Sequence, residues 1–172
     1  MKIDIEGSDT ICLRALLDFA ERSDYVSIES EKVSFVKLLE EFHLLKELGY
    51  TAFKAVQQQG ISSQIEPAES REGVYANYTF PEGASGLFGE DLPGEWKNHD
   101  EIFAEYRLIF RLYQLFGDAG KLNGYFFSNP LKRGLRKLLG RQIPGWYDTH
   151  ARHSSHVHHT ENKKQRLSPE PG

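Results

Sequence analysis

The sequence predicts an α/β fold built on a parallel sheet, and three observations predict it. Strand-period and helix-period hydrophobic patterns alternate through the first 56 residues in the order strand, helix, strand, helix, strand. The strand-period runs are short, and turn or capping residues stand where one pattern gives way to the next. Strands joined in this order through helices require right-handed crossovers, so the three strands run parallel.

The first strand is Met1–Gly7. Ile3 and Ile5 share one face and Lys2, Asp4 and Glu6 the other, because successive side chains point to opposite sides of a sheet. Carboxylates on one strand face are costly inside a core unless they stand at its solvated end. In an open α/β sheet that end is the ligand crevice. Asp4 and Glu6 are therefore expected to edge a binding site, with Gly7 turning the chain into the next helix; the competing reading is an edge strand carrying ordinary surface acids.

A helix follows from about Asp9 to Glu21, started by Ser8 or Asp9 and burying Ile11, Ala15, Leu16, Phe19 and Ala20. Tyr25–Ser30 alternates as the second strand, with Val26 and Ile28 on one side and Tyr25, Ser27 and Glu29 on the other. A second helix covers about Lys32–Leu48, with Phe35, Leu38, Leu39, Phe42 and Leu45 as its stripe and Gly49 as its stop. Tyr50–Val56 is the third strand. Ends of adjacent parallel strands point the same way, so Glu29 joins Asp4 and Glu6 on one rim.

Residues 57–96 read as a loop-rich lid or rim, with a short strand over Val74–Phe80. Phe88 and Trp96 favour order there. Gly83, Gly86 and Gly89 repeat at three-residue spacing, which is neither the dinucleotide fingerprint nor the opening of a helix. A third helix over about Asp100–Phe116 carries an aromatic stripe, including Phe103, Tyr106, Phe110 and Tyr113, that predicts core packing. Pro130–Leu139 is a short basic helix with Lys132, Arg133, Arg136 and Lys137, expected to be a solvated face, with phosphate or lipid-headgroup binding as the competing reading. The organisation is thus an α/β core over 1–56, a lid over 57–96, a helical extension over 97–153 and a disordered tail over 154–172. The histidines from His150 to His159 follow no helical metal spacing, and no resident metal is expected.

Composition excludes several classes. At 172 residues with 39% hydrophobic and 27% charged positions, one globular domain is expected. A net charge of −4 asks for neither a nucleic-acid nor an anionic-membrane partner. The lone Cys12 excludes an intrachain disulfide framework, and no apolar run reaches the roughly 18 residues of a membrane span, so a cytoplasmic protein is expected.

The opening Lys-Ile-Asp-Ile-Glu-Gly resembles the fourth-strand motif of FkbM family methyltransferases, class I enzymes that use S-adenosylmethionine. Tyr25-Val26-Ser27-Ile28-Glu29 is similar to the fifth strand, and Leu48-Gly49-Tyr50 with Phe53-Lys54 to the sixth. Ser85-Gly86, Phe88–Gly94, Trp96 and the terminal Trp146–His153 follow in family order. The resemblance covers roughly residues 1–153 and is carried by collinearity.

It implies methyl transfer to a hydroxyl of a sugar, polysaccharide or secondary metabolite. Asp4, Glu6 and Glu29 would be catalytic, Asp4 as orienting group or base; Asp4 and Gly7 would meet the cofactor. Ser85, Phe88, Trp96, His150 and His153 would line the acceptor, the two histidines being outside candidates for proton transfer near neutral pH. The family's glycine-rich turn and ribose-binding acid do not occur here, which implies a C-terminal part of a longer enzyme whose donor binding needs preceding residues. A homodimer that completes its own sheet and a noncatalytic module using the aromatic and basic helices are the competing expectations.

Overall fold

The computed structural model describes residues 1–5 and 7–156. Four strands form one mixed sheet in the order β1-β2-β4-β3: β1 is Lys2–Ile3, β2 Tyr25–Glu29, β3 Tyr50–Gln57 and β4 Tyr147–His153. β1 and β2 pair in parallel, while β4 runs antiparallel to both β2 and β3, so β1, β2 and β3 share one direction as the crossovers require. The helices are α1 (Asp9–Leu16), α2 (Phe35–Glu47), α3 (His99–Phe116) and α4 (Ser128–Leu139).

Register divides the sheet into two unlike faces. Tyr25 sits opposite Arg152, Ser27 opposite His150 and Glu29 opposite Asp148, and Lys54 pairs with His150 across the other side of β4. These polar side chains, with Lys2, occupy one face. The other face presents Ile3, Val26, Ile28, Phe53 and Ala151 to a single core shared with Leu13 of α1, Leu38, Phe42 and Leu45 of α2, and Ile102, Phe103 and Tyr106 of α3. Phe42 is its centre, with ring centroids 5.1 Å from Phe53, 4.8 Å from Phe103 and 5.6 Å from Tyr106. The aromatic stripe of α3 is therefore core, as its spacing predicts, and an Asn98–Glu101 capping box starts that helix.

A buried hydroxyl triangle ties α3 to the sheet. Tyr106 lies 2.6 Å from both Ser30 and Thr149, and Ser30 lies 2.7 Å from Thr149. Gly49 stops α2 at φ 91°, and a Cβ there would come within 2.5 Å of the His153 imidazole, so both conformation and space demand glycine.

Five expectations are corrected. β1 covers only two residues, and Ile5 is 53% exposed, because the chain leaves the sheet before reaching it. α1 ends at Leu16; Ile11 and Phe19 are exposed, and Leu13 is the buried residue of that helix in the core. Val74–Phe80 is not a strand: it makes an isolated bridge at Thr79 with Ile65, and its side chains face solvent. The terminal Tyr147–His153 is no appendage to helices but the strand that joins β2 to β3. Beyond it Ser154–His156 adopt a helical turn, so the expected disordered tail does not begin at 154, and 157–172, with His158 and His159, lie outside the described residues.

Candidate functional site at the strand ends

A cavity of about 1000 Å³ opens where β1 and β2 end. Its position follows from topology: parallel strands release their chains toward this edge, leaving a crevice between the turns that follow. β1 delivers Asp4 and Gly7 to it, β2 delivers Glu29, and the antiparallel β4 brings Asp148 to the same edge from its opposite end. Eight carboxyl side chains line it (Asp4, Asp9, Glu29, Glu31, Glu40, Glu41, Glu82 and Asp148) against three lysines, Lys2, Lys32 and Lys37. The mouth is strongly acidic.

The charges are organised. Lys2 Nζ lies 3.2 Å from Asp148 and 3.4 Å from Asp4, holding one buried and one exposed carboxylate together. Asp148 is 3% exposed, and burial pushes its carboxyl up to about 6 against the opposing pull of Lys2. Glu29 pairs with Lys32 at 3.1 Å. Burial raises Asp9, whose carboxylate accepts the Ile5 N–H at 2.9 Å. Glu41, buried in α2, accepts the Glu31 N–H at 3.3 Å, and burial pushes it up to about 8. Burial would raise Glu31 as well, yet the amides of Val33, Ser34 and Lys32 donate to it and hold it below its ordinary value. At neutral pH one wall therefore carries a protonated Glu41 and another an ionised Asp148. Carboxyl groups driven apart in this way can act as acid and base in one site.

Of the residues expected at the site, Asp4, Gly7 and Glu29 meet at this cavity, and Glu6 lies outside the described residues. The expected acceptor residues do not join them. Phe88 and Trp96 pack on the polar face near the start of β2: Trp96 stacks on Tyr25 at 5.7 Å, and Phe88 meets Tyr25 edge-on at 6.3 Å. Lys54 and Arg152 stand over the Trp96 ring at 4.5 and 5.0 Å, and Glu90 accepts from both Tyr25 and Arg152, so the loop is a packed cover held by charge and stacking. Trp96, Lys54 and Arg152 border a separate cavity of about 700 Å³. Ser85 is exposed and lines neither cavity.

The histidines are also corrected. His150 is buried against Phe88, 5.3 Å between rings, and near Ser27; burial, then the cations of Lys2 and Lys54, lower it to about 3, so it stays neutral and does not titrate near pH 7. His153 lies at the opposite edge of the sheet from the acids, paired with Tyr50 in register and in ring contact at 5.4 Å.

Asp148, Asp9 and Glu41 also line the cavity, and the sequence did not single them out for it. A signal existed for Glu41, an acid at helical spacing from Leu38 and Leu45 on the buried stripe of α2. Among the described residues no three His, Cys, Asp or Glu side chains are arranged to hold a metal ion, and no helix is long and apolar enough to cross a membrane. Comparisons of the chain with protein-family models, curated proteins and solved structures found no match.

Proposed function

We propose that the acidic mouth is the acceptor side of an FkbM-like methyl-transfer site, with S-adenosylmethionine as donor and a hydroxyl of a sugar, polysaccharide or secondary metabolite as acceptor. The observation that carries this reading is the meeting of Asp4, Glu29 and Asp148 on one cavity at the carboxyl edge of a sheet. It is supported by the three parallel strands on which the resemblance rests, and by the terminal segment of the same resemblance completing their sheet.

The donor set fits the cofactor's charge. S-adenosylmethionine, when bound, supplies an electrophilic methyl carbon on a positively charged sulfur, and a mouth with seven carboxyl groups besides the protonated Glu41, against three ammonium groups, favours a cation. Within this reading Asp148, ionised above about pH 6, accepts the hydrogen bond or proton of the acceptor hydroxyl. Asp4, exposed at the rim, orients that hydroxyl, and Lys2 fixes both carboxylates.

The test is an amide NMR titration of the chain, supplied with the donor-binding half that the resemblance implies, with millimolar S-adenosylmethionine and, separately, with S-adenosylhomocysteine, which lacks the sulfonium charge. Signals of Asp4, Glu29 and Asp148 are expected to move with the former and less with the latter. Equal shifts with both, or none at these positions, would remove the reading.

A further inference from the structure

Helix α4 is built unlike the others. Ser128 is its one buried residue, and from Lys132 to Lys137 it carries four cations, with no acid anywhere in its twelve residues. On a chain of net charge −4 this is a concentrated positive patch. Lys132 is partly occupied, donating to Asn123 at 3.2 Å, and Arg136 donates to Gln142 at 3.0 Å; Arg133 and Lys137 are exposed.

The apolar residues of the same region also face outward. Phe127, Leu131 and Leu138 recur at helical spacing and are exposed, Leu138 by 79%. Gly134, between them and the cations, has open space where a Cβ would stand, which marks this side of the helix as unobstructed. The turn leading into α4 adds Tyr125 and Phe126, the latter 93% exposed. These rings pack on one another, Tyr125 on Phe127 at 5.4 Å and Phe126 on Phe127 at 5.3 Å, and none of the three belongs to the core.

We propose that α4 and the Tyr125–Phe127 turn dock on an anionic lipid surface. Charge complementarity selects an anionic partner for Arg133, Arg136 and Lys137. The leucine stripe and the aromatic turn select one with an apolar layer beneath its charges, since a phosphate backbone alone gives Phe126, Leu131 and Leu138 nothing to bury against. Arginine and lysine stems reach from such a layer to the headgroups above it. A second copy fits poorly, because symmetric pairing would set four cations of one α4 against four of the other.

The test is co-sedimentation of the full chain with vesicles of equimolar phosphatidylcholine and phosphatidylglycerol, and with pure phosphatidylcholine, at low and high salt. Binding is expected on the anionic vesicles only and should weaken with salt. Each cation at such a surface contributes about fivefold to partitioning, so R133S/K137S should bind roughly twenty-five-fold more weakly. F126S/L138S, which alters only exposed positions and should keep the native circular dichroism, is expected to bind at least about tenfold more weakly. Equal binding to pure phosphatidylcholine, or anionic binding that F126S/L138S leaves unchanged, overturns the proposal. So does tighter binding to duplex DNA or single-stranded RNA than to vesicles, and so does self-association abolished by F126S/L138S.

Discussion

Replacing Glu41 with glutamine should change how stability depends on pH, and the size of the change follows from where the carboxyl sits. Glu41 is 6% exposed on the core side of α2, between Leu38 and Leu45, and burial lifts its carboxyl from 4.5 to about 8. The folded chain therefore holds this proton more tightly than the unfolded chain does. The stabilising contribution is fully present below about pH 4.5 and is lost as pH rises through 8. The span between the two values corresponds to on the order of 5 kcal/mol once the group is fully ionised. Glutamine keeps the shape and the acceptor for the Glu31 N–H but cannot ionise. Urea unfolding from about pH 4.5 to about pH 9 should give curves that coincide at the acid end. At the alkaline end E41Q should be more stable by several kcal/mol. Parallel pH profiles for wild type and E41Q would refute the reasoning.

Two further perturbations test the neighbouring contacts. Lys2→Met removes the cation 3.2 Å from the buried Asp148, so the Asp148 carboxyl should titrate above 6 in a side-chain NMR experiment; an unchanged or lower midpoint would mean that Lys2 does not hold it. Tyr106→Phe deletes the phenol shared by Ser30 and Thr149 but leaves those two bonded to each other, so unfolding should be easier by about 1–2 kcal/mol, and an unchanged urea midpoint would deny the triangle a part in holding α3 to the sheet.

The elements of the first half were legible because their patterns are local. Val26 and Ile28 alternate with polar residues, and Leu38, Phe42 and Leu45 recur at helical spacing, so β2 and α2 declare themselves. β4 does not. Its two faces carry Asp148, His150 and Arg152 on one side and Tyr147, Thr149, Ala151 and His153 on the other, polar on both. What buries it is tertiary: β2 and β3 flank it, and the Phe88–Trp96 cover lies over the polar face. Without β4 placed, Asp148 could not be assigned to the rim. Phe88 and Trp96, which the resemblance sets at the acceptor, have Tyr25, Lys54 and Arg152 as partners and form a cover apart from the acidic cavity. Asp4 and Glu29 were legible because strand direction alone fixes which edge they occupy.

The most direct measurement is transfer of a labelled methyl group from millimolar S-adenosylmethionine to glycan hydroxyls by the chain supplied with the donor-binding half that the resemblance implies, beside the same pair carrying D148N. The account predicts label in a methyl ether that survives alkali, in an amount that D148N lowers at least about tenfold. Label confined to methyl esters, ether formation that D148N leaves intact, or no label at saturating donor would contradict it.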